Sequence, residues 1–230
     1  MKVLPALIVA QDISDDIMYI SHAVNPHTSY MKKLYPHFLR YYMKKLEKKA
    51  WLVSGFQIIE EEGVVSITIE RLCTRLNLTK GSFYHHFKNI EGYVKALMDF
   101  WLEENTLMFM EQADAMKTAK EKLQALVRLS ASSEYRCESR IRGWGYMNGI
   151  VREYVKRVDD LRLNYLEGVN RDCGYEPDYA RKVATIQYAL LIGLQHIYSQ
   201  RTDEEYAELQ NIVIDKFDTM LVDDEKQAYT

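Results

Sequence analysis

Ten glycines and four prolines are all that punctuate this 230-residue chain, roughly half the usual share of about 12%. A sandwich or barrel needs a turn every few residues, so this scarcity points to a helical protein. With 47% hydrophobic and 27% charged residues the chain can bury a core, which sets aside disorder and fibrous repeats. The longest apolar runs, residues 3–10 and 189–194, fall far short of the ~18 residues of a membrane span, so no membrane association is expected. Lys2 ahead of the first run resembles a signal peptide only weakly, because the run is short and Gln11 and Asp12 follow at once. Cys73, Cys137 and Cys173 are odd in number and widely spaced. They suit neither a disulfide framework nor a zinc site, and a reducing cytoplasm fits them best.

The net charge of −3 divides unevenly, with balances of +1 over residues 1–42, +2 over 43–93 and −6 over 94–230. Residues 1–42 show no sustained period and read as an N-terminal extension, with Met31 and Met43 as alternative starts; the rival reading is a basic arm spanning residues 32–49. A helix is expected from about Leu39. Trp51, Leu52, Gly55, Phe56 and Ile59 form its apolar face, and Gly63 caps its end. Thr68 is placed to cap a short helix holding Ile69, Leu72, Cys73 and Leu76, and Asn77 tolerates a left-handed turn. Thr79 caps the next helix, in which Phe83 and Phe87 share a face. A longer amphipathic helix opens at Asn89 and runs to about Phe109, and five more follow at about 119–132, 134–143, 147–173, 177–199 and 203–221. Glu134, the Gly143, Trp144, Gly145 triplet and Gly174 before Pro177 read as breaks.

Two short helices joined by a tight turn, the second with a polar outer face, form a helix-turn-helix. The second helix can enter a DNA major groove while Phe83 and Phe87 anchor it; a three-helix packing unit that binds no DNA has the same pattern. The stretch 44–98 resembles the N-terminal DNA-binding domain of TetR-family transcriptional repressors. The most specific residues are Thr79, Lys80, Gly81, Ser82, Phe83, Tyr84, His85, His86, Phe87 and Lys88, with acidic Glu91 early in the next helix. Asn77 stands where the family more often has Gly, and Cys73 and Leu76 replace small residues.

The resemblance implies an all-α protein in two parts. A three-helix helix-turn-helix domain would occupy 43–93, and a helical effector-binding and dimerisation bundle 94–230. It implies a cytoplasmic, non-enzymatic regulator, a repressor that leaves a near-palindromic double-stranded operator when a small apolar or aromatic effector binds. Thr79, Lys80, Ser82, Tyr84 and His85 would face the groove, with Thr68 and Lys88 on phosphates. Trp101, Phe109, Trp144, Tyr146, Tyr154 and Tyr188 are candidates for the effector pocket. A homodimer would form through Ile186, Ala189, Leu190, Gly193, Leu194 and Ile197 of one helix with Leu209, Val213 and Phe217 of the next.

No cofactor or metal is expected. Adjacent His85 and His86 project about 100° apart, unlike an i, i+4 ligand pair. The glycines around Trp144 lack the strand that precedes a phosphate loop, and Glu60, Glu61 and Glu62 read as a solvated helix end. Two alternatives stand beside the repressor: an architectural DNA-binding protein without a ligand, and a small helical enzyme, for which no nucleophile–base set or carboxylate pair speaks.

Overall fold

The computed structural model describes residues 36–132, 137–197 and 202–228, with side chains from Lys48 to Phe217 within those limits. The extension at 1–35, the break at Glu134 and the end of the helix expected to reach 199 lie outside the described residues. The chain comprises two compact units, Met1–Ala50 and Trp51–Thr230; all side-chain packing below concerns the second. Among the described residues every regular element is helical: α1 (Pro36–Glu62), a 3-10 turn (Val64–Ser66), α2 (Ile69–Leu76), α3 (Lys80–His86), α4 (Ile90–Leu102), α5 (Met108–Asp114), α6 (Ala119–Ala131), α7 (Glu138–Gly145), α8 (Gly149–Asp172), α9 (Pro177–Ile197) and α10 (Asp203–Ala228). No described helix is long and apolar enough to cross a membrane.

Local chemistry sets the helix ends. The side chains of Thr68, Thr79, Asn89 and Asn148 each accept a backbone N–H of the first turn, and Thr118 forms a reciprocal capping box with Glu121. Gly63 ends α1 at φ 88°, and Asn77 turns the chain from α2 toward α3 at φ 53°.

One apolar cluster holds the first helices together and continues beyond them. Trp51, Phe56 and Ile59 of α1 meet Leu72 of α2, Phe83 of α3 and Leu97 and Trp101 of α4, and then Cys137, Ile141 and Trp144 of α7 and Val151 and Val158 of α8. The Phe83 ring packs edge-on against Trp51 at 5.6 Å and beside Phe87 at 5.2 Å.

Two features differ from the sequence expectation. The helix opened by Asn89 does not run unbroken to Phe109, because a π-helical turn, Glu103–Leu107, separates α4 from α5. Widening the helix frees carbonyls, and Arg162 donates to Asn105 O at 3.1 Å and to the Thr106 hydroxyl at 3.0 Å. The triplet Gly143, Trp144, Gly145 lies inside α7, and the chain turns only at Tyr146 and Met147. Burial of Trp144 secures that last turn.

Candidate nucleic-acid interface and inner cavity

The outer face of the helix-turn-helix follows from what its inner face buries. Phe83 and Phe87 are buried, which leaves Tyr84 and His85 exposed and Ser82 half-exposed on the other side of α3, with Lys88 exposed just beyond its end. Thr68 and Thr79 are exposed at the starts of α2 and α3. Each spends an oxygen lone pair on its cap, accepting from Arg71 N at 3.1 Å and Ser82 N at 3.2 Å, and each keeps its O–H to donate outward. Lys80 pairs with Glu70 across the turn. All seven residues expected at DNA therefore lie on one small motif.

Sequence reasoning missed the role of the acidic end of α1. Glu62 accepts two bonds from the Arg71 Nε, at 3.0 and 2.9 Å, while Glu61 accepts from both terminal nitrogens of Arg75 at 2.6 Å. These pairs tie α1 to α2. Hydrogen bonds from Arg75 and Arg71 hold the Glu61 and Glu62 carboxyls below the usual carboxylate range, and Lys80 does the same for Glu70. The charge pairs repeat through the motif with a glutamate opposite every α2 arginine, so α2 is held by its ionic groups as well as by its core.

A cavity of about 380 Å³ lies among α5, α6, α7, α8, α9 and α10. Phe109, Leu123, Val127, Leu191 and Ile214 supply apolar wall, and Glu138, Arg162, Tyr188, Gln195 and Tyr206 supply polar wall. Of the six aromatics expected there, Phe109 and Tyr188 line it. Trp101, Trp144 and Tyr154 are instead part of the core shared with the first helices, and Tyr146 is 84% exposed at the end of α7. The Tyr154 hydroxyl donates to Asp99, and burial followed by this bond pushes its pKa up to about 12.

Beside the cavity runs an ionic network that the aromatic search overlooked. Glu138 accepts from Arg162 at 3.1 Å and from the Arg142 Nε at 3.0 Å; Arg142 in turn donates to Asp159 at 2.7 Å and to the Tyr188 hydroxyl at 2.6 Å. The Arg162 guanidinium lies 5.7 Å from the centre of the Trp101 ring. Burial alone would lower the Arg162 pKa, but the neighbouring Glu138 carboxylate more than offsets that and raises it. The signal was legible in principle: Arg162 occupies the same stripe of α8 as Val158 and Val169, where a charge demands a buried partner.

The expected dimer residues fall on two faces. Ile186, Ala189 and Ile197 are exposed and Gly193 half-exposed, forming an outer stripe on α9. Leu194 is buried against Ala131 and Tyr206, Leu190 and Leu209 pack on the same cluster, and Val213 lines the cavity with Leu190. Phe217 is half-buried.

Residues 52–97 match the family of bacterial regulatory proteins described as tetR. Over that stretch the chain is similar to the DNA-binding domain of TetR-family regulators. It is 32% identical over 62 residues to the tetracycline repressor protein class G of Vibrio anguillarum, a match covering 27% of this chain and 30% of that protein. Among solved structures it resembles a TetR transcriptional regulator from Legionella pneumophila, with 18% identity, a TM-score of 0.65 and coverage of 74% of this chain and 96% of that one. It also resembles AibR in complex with isovaleryl coenzyme A and operator DNA, with 17% identity, a TM-score of 0.58 and coverage of 73% and 96%. At such identities the two structures establish the all-helical fold, an N-terminal helix-turn-helix followed by a helical domain.

Proposed function

We propose that this chain is a TetR-family, operator-binding transcriptional regulator that acts in the cytoplasm as a homodimer and changes its DNA affinity when a small molecule occupies the cavity. The observation that carries the DNA reading is α3 itself. A seven-residue helix fixed by buried Phe83 and, at its C-terminal cap, Phe87 presents Tyr84 and His85 outward beside the N-cap hydroxyls of Thr68 and Thr79, with Lys88 exposed just past its end. Arginine is absent from this helix, so bidentate reading of guanine is not available from it. Tyr84, His85, Ser82 and groove shape would then supply the specificity. Lys80 reaches DNA only by leaving or sharing Glu70.

The cavity supports ligand response over a purely architectural role. Its volume lies within the usual range for small-molecule sites, about 300–1,000 Å³. AibR, of similar fold, was solved with both isovaleryl coenzyme A and operator DNA. Repression with release by the ligand is the form of regulation we favour. A differential affinity of about 1–3 kcal/mol between the two states would change operator binding by roughly 5- to 150-fold.

Binding to DNA from the region flanking its own gene, measured by fluorescence anisotropy across a salt series, tests the DNA reading. Lys88→Ala is expected to weaken binding to all sequences alike and to lower the salt slope by about one unit. Tyr84→Ala should harm specific sites more than random DNA. Undiminished operator affinity in both variants would overturn the assignment of α3 to the groove.

A further inference from the structure

The polar groups around the cavity differ in whether the protein already satisfies them. Arg162 is committed to Glu138, to Asn105 O and to Thr106. The Tyr188 hydroxyl donates to Asp159 at 2.6 Å, the Tyr165 hydroxyl donates to Asp114 at 2.8 Å, and Gln187 exchanges hydrogen bonds with Asn170. Gln210 donates to the Ser130 hydroxyl at 3.4 Å. By contrast, the Tyr206 hydroxyl and the Gln195 side-chain oxygen are buried on the cavity wall without a hydrogen-bond partner. They belong to adjoining elements, α10 and α9; Gln195 and Ser130 lie within reach of the Tyr206 hydroxyl oxygen, whose hydrogen is left to donate. Tyr206 is 92% buried by its 8% exposure. Such atoms leave water at a cost that a ligand bringing complementary groups removes.

The buried charges of the cavity wall, Glu138 and Arg162, are complete, unlike these two atoms, while Glu60 and Arg140, also on the wall, are exposed to solvent. Arg142 and Arg162 are balanced by Glu138 and Asp159, with every ion joined to its neighbour. An added carboxylate would have to take Arg162 from Glu138, and an added ammonium would have to take Glu138 from two arginines. Either exchange strands a buried ion. Burial, reinforced by Glu138, pushes the Tyr206 hydroxyl pKa up, so this group stays protonated and able to donate.

We infer that the cavity takes an uncharged amphiphile: an apolar body against Leu123, Val127, Leu191 and Ile214, and a head such as a primary carboxamide that donates to Gln195 and accepts from Tyr206. The inference rests on reading the cavity as the regulatory ligand site. It replaces the aromatic box expected from sequence with a polar corner, and it assigns Gln195 and Tyr206 as the residues that choose the head group.

Octanamide, octanoate and octylammonium share one tail and differ in the head, so their affinities for the full chain at pH 7, measured by calorimetry, isolate this choice. Octanamide is expected to bind at least about ten-fold tighter than either ion. Gln195→Leu and Tyr206→Phe should each weaken it about five-fold, the loss of one hydrogen bond. The same variants should keep the cooperative thermal transition of the unliganded protein, which separates a lost ligand contact from a lost fold. Equal or tighter binding of either ion overturns the ligand class and leaves the cavity standing as a ligand site. Full octanamide affinity in both variants overturns the head-group assignment. Octanamide binding that leaves operator affinity unchanged supports the class and overturns the regulatory role, whereas no binding by any of the three overturns both.

Discussion

Gly55 lies on the buried side of α1, and its missing side chain is what admits Tyr93. The Tyr93 hydroxyl donates to Trp51 O at 2.8 Å, and a Cβ on residue 55 would come within 2.1 Å of that oxygen and 3.1 Å of a Leu97 methyl. Tyr93 is fully buried, and its ring lies 5.7 Å from Phe83 and 5.0 Å from Phe87, so it has little room to retreat. Ala ordinarily gains about 1 kcal/mol over Gly within a helix, but overpacking a core costs about 1–3 kcal/mol. Gly55→Ala is therefore expected to lower stability in urea unfolding, and Tyr93→Phe in the same chain should restore part of the loss by removing the oxygen in the way. A variant as stable as the parent would show that α1 and α4 can separate freely. Sequence placed Gly55 on the right face but could not show its partner 38 positions away. Pattern resolves which way a residue points, whereas close approach between two helices is a property of both.

At the scale of elements, the helix starts were legible because a cap is a local interaction: Thr68, Thr79 and Asn89 each bond a backbone N–H three residues on. The π-turn between α4 and α5 was not, since its freed groups are satisfied by Arg162, 56 residues from Thr106. The tie between α1 and α2 is likewise non-local, and it carries a pH signature. Glu61, Glu62 and Glu70 are held below their ordinary pKa by hydrogen bonds from Arg75, Arg71 and Lys80 respectively. The unfolded chain thus binds more protons than the folded one in acid. The stabilisation is complete above the unfolded carboxylate value, about 4.3, and is lost as pH falls through the lowered folded values. Urea midpoints measured from pH 6 down to 3 should decline, and an Arg71→Met, Arg75→Met double variant should show a shallower decline. Because the pairs are exposed, 0.5 M salt should also flatten the slope. A slope identical in the double variant would mean that other carboxylates govern acid sensitivity.

For the whole molecule, the proposed operator binding calls for a second copy, because helix-turn-helix dimers read two half-sites roughly 34 Å apart. The apolar residues of α9 looked like one stripe in sequence and are two. Val183 and Leu194, 11 apart, share the inner face, while Ile186 and Ile197, also 11 apart, share an outer one rotated by about 60°. A period near 3.6 shows both as hydrophobic, and only the packing of Leu194 on Tyr206 and Ala131 tells which belongs to the subunit core. The outer stripe is the candidate dimer surface: Ile186 is 49% and Ile197 70% exposed, Ala189 and Gly193 lie between them, and a Cβ on Gly193 would meet nothing within 4 Å. The neighbouring α10 adds exposed Ile212. The two classes of position should fail differently. Leu194→Glu places a charge inside the subunit and should reduce folding itself. Gly193→Arg has room in the isolated chain, so its helix content and thermal transition should persist while sedimentation shows monomers and operator affinity falls by at least about ten-fold. A Gly193→Arg protein that remains dimeric and binds operator normally would move the interface off this face, even if Leu194→Glu abolished binding, because the latter would then report only a broken core.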